Sequence, residues 1–133
     1  MSIGTYDQTD RDTATGRSLE ARVLIRSALR LQAAITGTNI QELFDSVSLN
    51  HRLWLLFYSE IESKHVTLPP EIERNILALA NYVVSITPRA FARDRAALES
   101  LVNVNRRVAA GLAVETADAE PAPTGGFKAG ATV

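Results

Sequence analysis

Two histidines, a few serines, scattered carboxylates and a strong excess of arginine are the groups through which this chain could do chemistry. His51 sits on a helical apolar pattern between Asn50 and Arg52, and His65 sits in a loop ahead of Leu68-Pro69. There is no cysteine, and neither histidine has a second ligand at metal-binding spacing, so no metal site is expected. His51 is expected inside the core with one hydrogen-bond partner. A phosphotransfer bundle would expose such a histidine and follow it with a Lys-Gly step, which is missing here. No Gly-x-Ser-x-Gly nucleophile turn and no glycine-rich phosphate loop ahead of a helix is present. Glu60 and Glu62 lie about 200° apart on a helix and cannot converge on one substrate. The expectation is a protein without cofactor that binds rather than catalyses.

Three arginines carry a binding signal. Arg22, Arg26 and Arg30 are four apart and form one ridge on a helix, with Leu19 and Val23 among them. The plain reading is a solvated face. The sharper one is a mixed basic and apolar ridge that suits an acidic amphipathic partner. RNA is a weaker match, because the net charge is −1 and no aromatic stands beside the ridge to stack on bases. Twelve of the fourteen cations are arginine, which tolerates partial burial at interfaces better than lysine does.

The elements that must position these residues read as helices throughout. Apolar residues recur at helical rather than alternating spacing, with Gly or Pro in the short links. Helix one is expected from about Gly16 to Thr36, with Leu24, Ala28, Leu31 and Ile35 inward and Gly37 at its end. Helix two is expected from Ile40 to Lys64, capped by Asn39 with Glu42 three residues on. Its inward stripe is read as Ile40, Phe44, Val47, His51, Trp54, Tyr58 and Ile61. Leu49, Leu53 and Leu56 lie off that stripe, and the run from Leu53 to Tyr58 is apolar or aromatic all the way round. Such a helix needs cover on every side, so either it is central or one face awaits a partner.

Leu68-Pro69-Pro70 opens helix three, with Ile72, Ile76, Leu79, Val83 and Ile86 inward and Pro88 as its stop. Asp94 is the expected cap of helix four, whose face is Leu98, Leu101, Val102, Val108, Ala109 and Leu112. Asn105 falls in the middle of that face, so its amide is expected to meet a buried polar group. Gly111 weakens the helix and marks either a close helix approach or a fraying end. Residues 1–14 are polar and 114–133 turn to Ala, Pro, Thr and Gly, so both ends are expected to be mobile. The whole is an all-α, small four-helix bundle over residues 15–113. No signal-peptide pattern or membrane-length apolar run is present, and a cytoplasmic location is expected.

Arg52-Leu53-Trp54 in helix two, Leu68-Pro69 opening helix three, Leu101-Val102-Asn103-Val104-Asn105 and then Gly111-Leu112 resemble the FlaF family of flagellar biosynthesis regulators. The resemblance covers about Arg17 to Leu112. Tyr82 and Ala78 depart from the residues frequent at those positions. The resemblance implies a chaperone-like factor that binds unassembled flagellin and promotes its synthesis or export, acting opposite a repressor of flagellin translation. It raises that repressor and the flagellar export apparatus as further partners. The terminal segments of free flagellin are amphipathic helices with exposed apolar stripes. A groove made by Leu49, Leu53 and Leu56 of helix two with Leu19, Val23 and Arg26 of helix one would take such a stripe. The alternative is an RNA-associated regulator of flagellin message acting through the helix-one ridge. A bundle that merely dimerises through helix two is a third possibility.

Overall fold

The computed structural model describes the backbone of residues 5–119 and the side chains of residues 20–113. Four helices follow one another: α1 (Thr5–Thr36), α2 (Ile40–Glu62), α3 (Pro70–Phe91) and α4 (Arg95–Ala119). No strand occurs among the described residues. Each helix packs on two others, α1 and α3 both lying against α2 and α4, and the α1–α4 pairing is the most extensive. The short links make chain neighbours antiparallel, and the cross-links agree. Ser27 meets Asn50 while Arg30 meets Glu42, so α2 runs backwards along α1. Phe44 stacks on Phe91 while Lys64 meets Glu73, so α3 runs backwards along α2.

The helix ends follow local chemistry. The Asn39 side-chain oxygen accepts from the backbone N–H groups of Gln41 and Glu42 at 2.9 and 3.1 Å, as a cap does. Glu42 does not complete the box and turns instead to Arg30. Asp94 caps α4 through the N–H groups of Ala96 and Ala97. Both α2 and α3 end in a Schellman turn without glycine. Lys64 and Arg93 hold positive φ of 64° and 65°, while His65 N–H reaches Glu60 O and Asp94 N–H reaches Arg89 O.

Pro88 does not stop α3, which continues to Phe91. Proline removes one N–H from the ladder, and near a helix end that loss is small. Beside it, the Thr87 hydroxyl donates to Val83 O at 2.7 Å. α1 begins at Thr5 rather than Gly16, and α4 runs to Ala119 rather than ending near 113. Residues 5–15 contain neither Gly nor Pro, so extending an existing helix through them costs little. The expectations for residues 1–4 and 120–133 lie outside the described residues.

The core is aliphatic around one indole. Trp54 is fully buried with Val47, Leu31, Ile61, Val83, Leu101 and Leu112, and its ring meets Phe57 edge-on at 5.8 Å. The inward stripes read for α1, α3 and α4 hold, with Ile35, Ile72 and Leu79 only partly buried. The stripe read for α2 holds at Val47, Trp54 and Ile61 and fails at its other four positions. Ile40 is 61% exposed and Phe44 53%, and His51 and Tyr58 are half-buried. The buried face is Leu43, Ser46, Val47, Asn50, Trp54, Phe57 and Ile61. Two polar residues on the true inner face, Ser46 and Asn50, and apolar ones on the outer face hid the orientation. His51 is therefore no core histidine. It borders a shallow surface hollow with Phe44, Arg52 and Phe91.

Candidate functional site

A polar cluster pins the centre of the bundle. The Trp54 indole N–H donates to Asn105 Oδ1 at 2.8 Å. Asn105 Nδ2 donates to Asn50 Oδ1 at 2.7 Å and to Leu24 O at 3.2 Å. The Ser27 hydroxyl donates to the same Asn50 oxygen at 2.9 Å. Each orientation follows from the last. An indole N–H can only donate and a backbone carbonyl only accept, which fixes the Asn105 amide and through it the Asn50 amide. One donor is left over, since Asn50 Nδ2 is buried without a partner. The cluster joins α1, α2 and α4, so Trp54 and Asn105 position helices rather than meet a partner. The expectation for Asn105 holds, whereas nothing in the spacing singles out Asn50.

Helix α1 is flanked by two grooves. The one toward α2 has a volume of about 330 Å³. Val23, Leu53 and Leu56 form its apolar wall and floor, and Glu20, Glu60 and His65 stand around them. Leu56 is 57% exposed, while Val23 and Leu53 are half-buried. The groove toward α4 has a volume of about 460 Å³. Ile25, Leu29 and alanines of α4 line it together with Arg22, Arg26 and Arg106.

The partner surface read from the sequence is thus divided. Val23, Leu53 and Leu56 do come together. Leu49 is half-buried on the same helix but does not line the groove, and Arg26 belongs to the α4 side. The side chain of Leu19 lies outside the described residues. The basic ridge is divided as well: Arg22 and Arg26 join Arg106, while Arg30 lies 3.6 Å from Glu42. Arg106 is a long-range neighbour that spacing along α1 could not reveal.

Spacing does not single out Glu20, and Glu60 enters the sequence reading only through its separation from Glu62. Glu20 and Glu60 both line the α2-side groove, and Glu20 is pushed up to about 8 by burial first, then by hydrogen bonding with Glu60 and by its charge. One signal was available: Leu49, Leu53, Leu56 and Glu60 recur at spacings of four and three, which place them along one helix flank. The family-motif residues are mostly structural. Leu68 and Leu112 are buried, and Pro69 is the extended residue ahead of α3. Arg52 is exposed. A Cβ built on Gly111 would meet nothing within 4 Å, so no close helix approach requires that glycine, and α4 continues past it.

Among the described residues no group of three His, Cys, Asp or Glu could hold a metal ion. No described helix is long and apolar enough to cross a membrane. What remains is a class: an antiparallel four-helix bundle with open apolar grooves beside its first helix. The sequence pattern of the family described as Flagellar protein FlaF matches residues 2–112, so the chain belongs to that family. No curated protein and no solved structure matches it.

Proposed function

We propose that this chain binds unassembled flagellin in the cytoplasm as a chaperone-like factor, without catalysing a reaction, and so promotes flagellin synthesis and export. The observation that carries this reading is Leu56, left 57% exposed at the edge of an open groove with Val23 and Leu53 beside it. An amphipathic helix laid there covers leucine that the bundle leaves in water. Covering the rest of the Leu56 side chain contributes about 1–2 kcal/mol. Membership of a flagellar protein family supplies the kind of partner.

The test is calorimetry of the purified protein with unassembled flagellin at low and moderate salt, with Leu56→Asp as the variant. Because Leu56 is mostly exposed, the variant keeps its fold. We expect binding that survives added salt and falls at least tenfold in Leu56→Asp, since the leucine contact is lost and a carboxylate would have to be buried against the partner's apolar stripe. Equal binding by the variant would remove the groove from the mechanism.

A second reading rests on Arg106, which joins Arg22 and Arg26 around the α4-side groove. Three guanidinium groups could hold RNA phosphates and make the protein a regulator of flagellin message. Its signature is salt: RNA binding through charge falls steeply between 50 and 200 mM, whereas an apolar dock does not.

A further inference from the structure

Glu20 of α1 and Glu60 of α2 face one another at the wall of the groove that holds Val23, Leu53 and Leu56. Two carboxyls side by side in one groove cannot both carry charge cheaply, so one keeps a proton. Here Glu20 keeps it: burial, the bond to Glu60 and the Glu60 charge push it up to about 8.

The cations of α1 and of the α2–α3 link that form ion pairs are engaged away from the carboxyl pair. Lys64 lies 3.0 Å from Glu73, and Arg30 lies near Glu42. His65, the other titratable group of this groove, is tied through Nδ1 to the Ser63 hydroxyl at 2.9 Å. Among the described residues, helices α3 and α4 bring no charged side chain to the groove. Among the described residues no Lys or Arg neutralises either carboxyl.

We propose that this groove selects an amphipathic helix carrying a lysine or arginine at the edge of its apolar stripe, with that cation lying against Glu20 and Glu60. The inference deepens the flagellin reading above and rests on it for the natural partner. Charge complementarity sets the occupant: leucines of the partner cover Val23, Leu53 and Leu56, and its cation lands on the carboxyl pair. In the free protein one proton is shared by two carboxyl groups. In the complex both are carboxylates facing one cation, so one proton leaves to solvent on binding. Linkage then makes affinity rise about tenfold per pH unit until Glu20 loses its proton unaided, and level off above that.

The experiment uses the full chain and two probes. One is unassembled flagellin. The other is a designed leucine–alanine amphipathic peptide with one arginine at the edge of its apolar face, compared with its glutamine counterpart. Calorimetry from pH 5.5 to 8.5, in buffers of different ionisation heat, counts the protons released. We expect the arginine peptide to bind at least tenfold tighter than the glutamine peptide at pH 8, with about one proton released near pH 6.5 and about half of one at pH 8. In Glu20→Gln, which keeps the neutral shape of the protonated side chain and so keeps the fold, proton release and pH dependence should vanish. Equal affinity of the two peptides, or binding without proton release, overturns the carboxyl anchor even if flagellin binds. Flagellin failing to bind while the arginine peptide behaves as expected would overturn the flagellin reading alone.

Discussion

At the scale of single residues, one amide does more than any other polar group. Asn105 is completely buried, takes the Trp54 N–H and gives its own two hydrogens to Asn50 and Leu24. Asn105→Ala strips the indole of its acceptor and Asn50 of a donor, and leaves a cavity between three helices. Each orphaned buried group costs about 1–3 kcal/mol, so we expect a loss of about 3–4 kcal/mol, read as a lower urea midpoint. The need for a partner at Asn105 was legible from its place in an apolar face. The identity of that partner was not, because Asn50 lies 55 positions away and only packing brings the two together.

At the scale of elements, the helices carry small local costs that the fold does not require. Gly111 points into open space in the interior of α4. Gly111→Ala is expected to stabilise the bundle by about 0.8–1 kcal/mol, the ordinary helix difference between the two residues. Thermal unfolding checks it, and an unchanged or lower midpoint would mean that the glycine has a structural task. Arg93 occupies a left-handed backbone position where glycine is the usual choice, and it neither caps α4 nor enters the core. The boundaries of α2 and the caps Asn39 and Asp94 were readable because capping is a chemistry of adjacent residues. The inward face of α2 was not. With apolar residues all round, periodicity does not choose a direction, and the choice fell to the face that Ser27 and Asn105 could hydrogen-bond.

At the scale of the whole molecule, two carboxylates at opposite ends of the bundle pull stability in opposite directions with pH. Glu20 holds its proton to about pH 8 when folded, but releases it near 4.5 when unfolded. Between those values the folded state binds more protons, so raising the pH destabilises it. Asp94 is lowered, first by its hydrogen bond from Arg89, then by the Ala97 N–H. Its contribution is present above the ordinary carboxylate range and is lost as the pH falls through its lowered folded value. The bundle is therefore expected to be more stable near pH 5 than at pH 8 or pH 2.5, by urea unfolding at the three values. Glu20→Gln should remove the decline between pH 5 and 8 and leave the acid limb in place. A wild-type midpoint that rises from pH 5 to 8 would contradict the Glu20–Glu60 pairing.

The amino-acid sequence alone determined the four helices, their links, most of their inward faces and the family resemblance. These depend on residues within a few turns of one another or on ordered motifs. It also brought Val23, Leu53 and Leu56 forward as a docking surface, because surplus leucine on a helix already supplied with a core face is visible in one dimension. Tertiary structure decided the rest. It turned α2, separated Arg26 from Val23, brought Arg106 to the basic ridge, and set Glu20 against Glu60. Each of these depends on which flank of one helix meets which flank of another. A helical wheel gives the angle of a residue about its own axis, but packing alone gives the rotation of that axis against its neighbours.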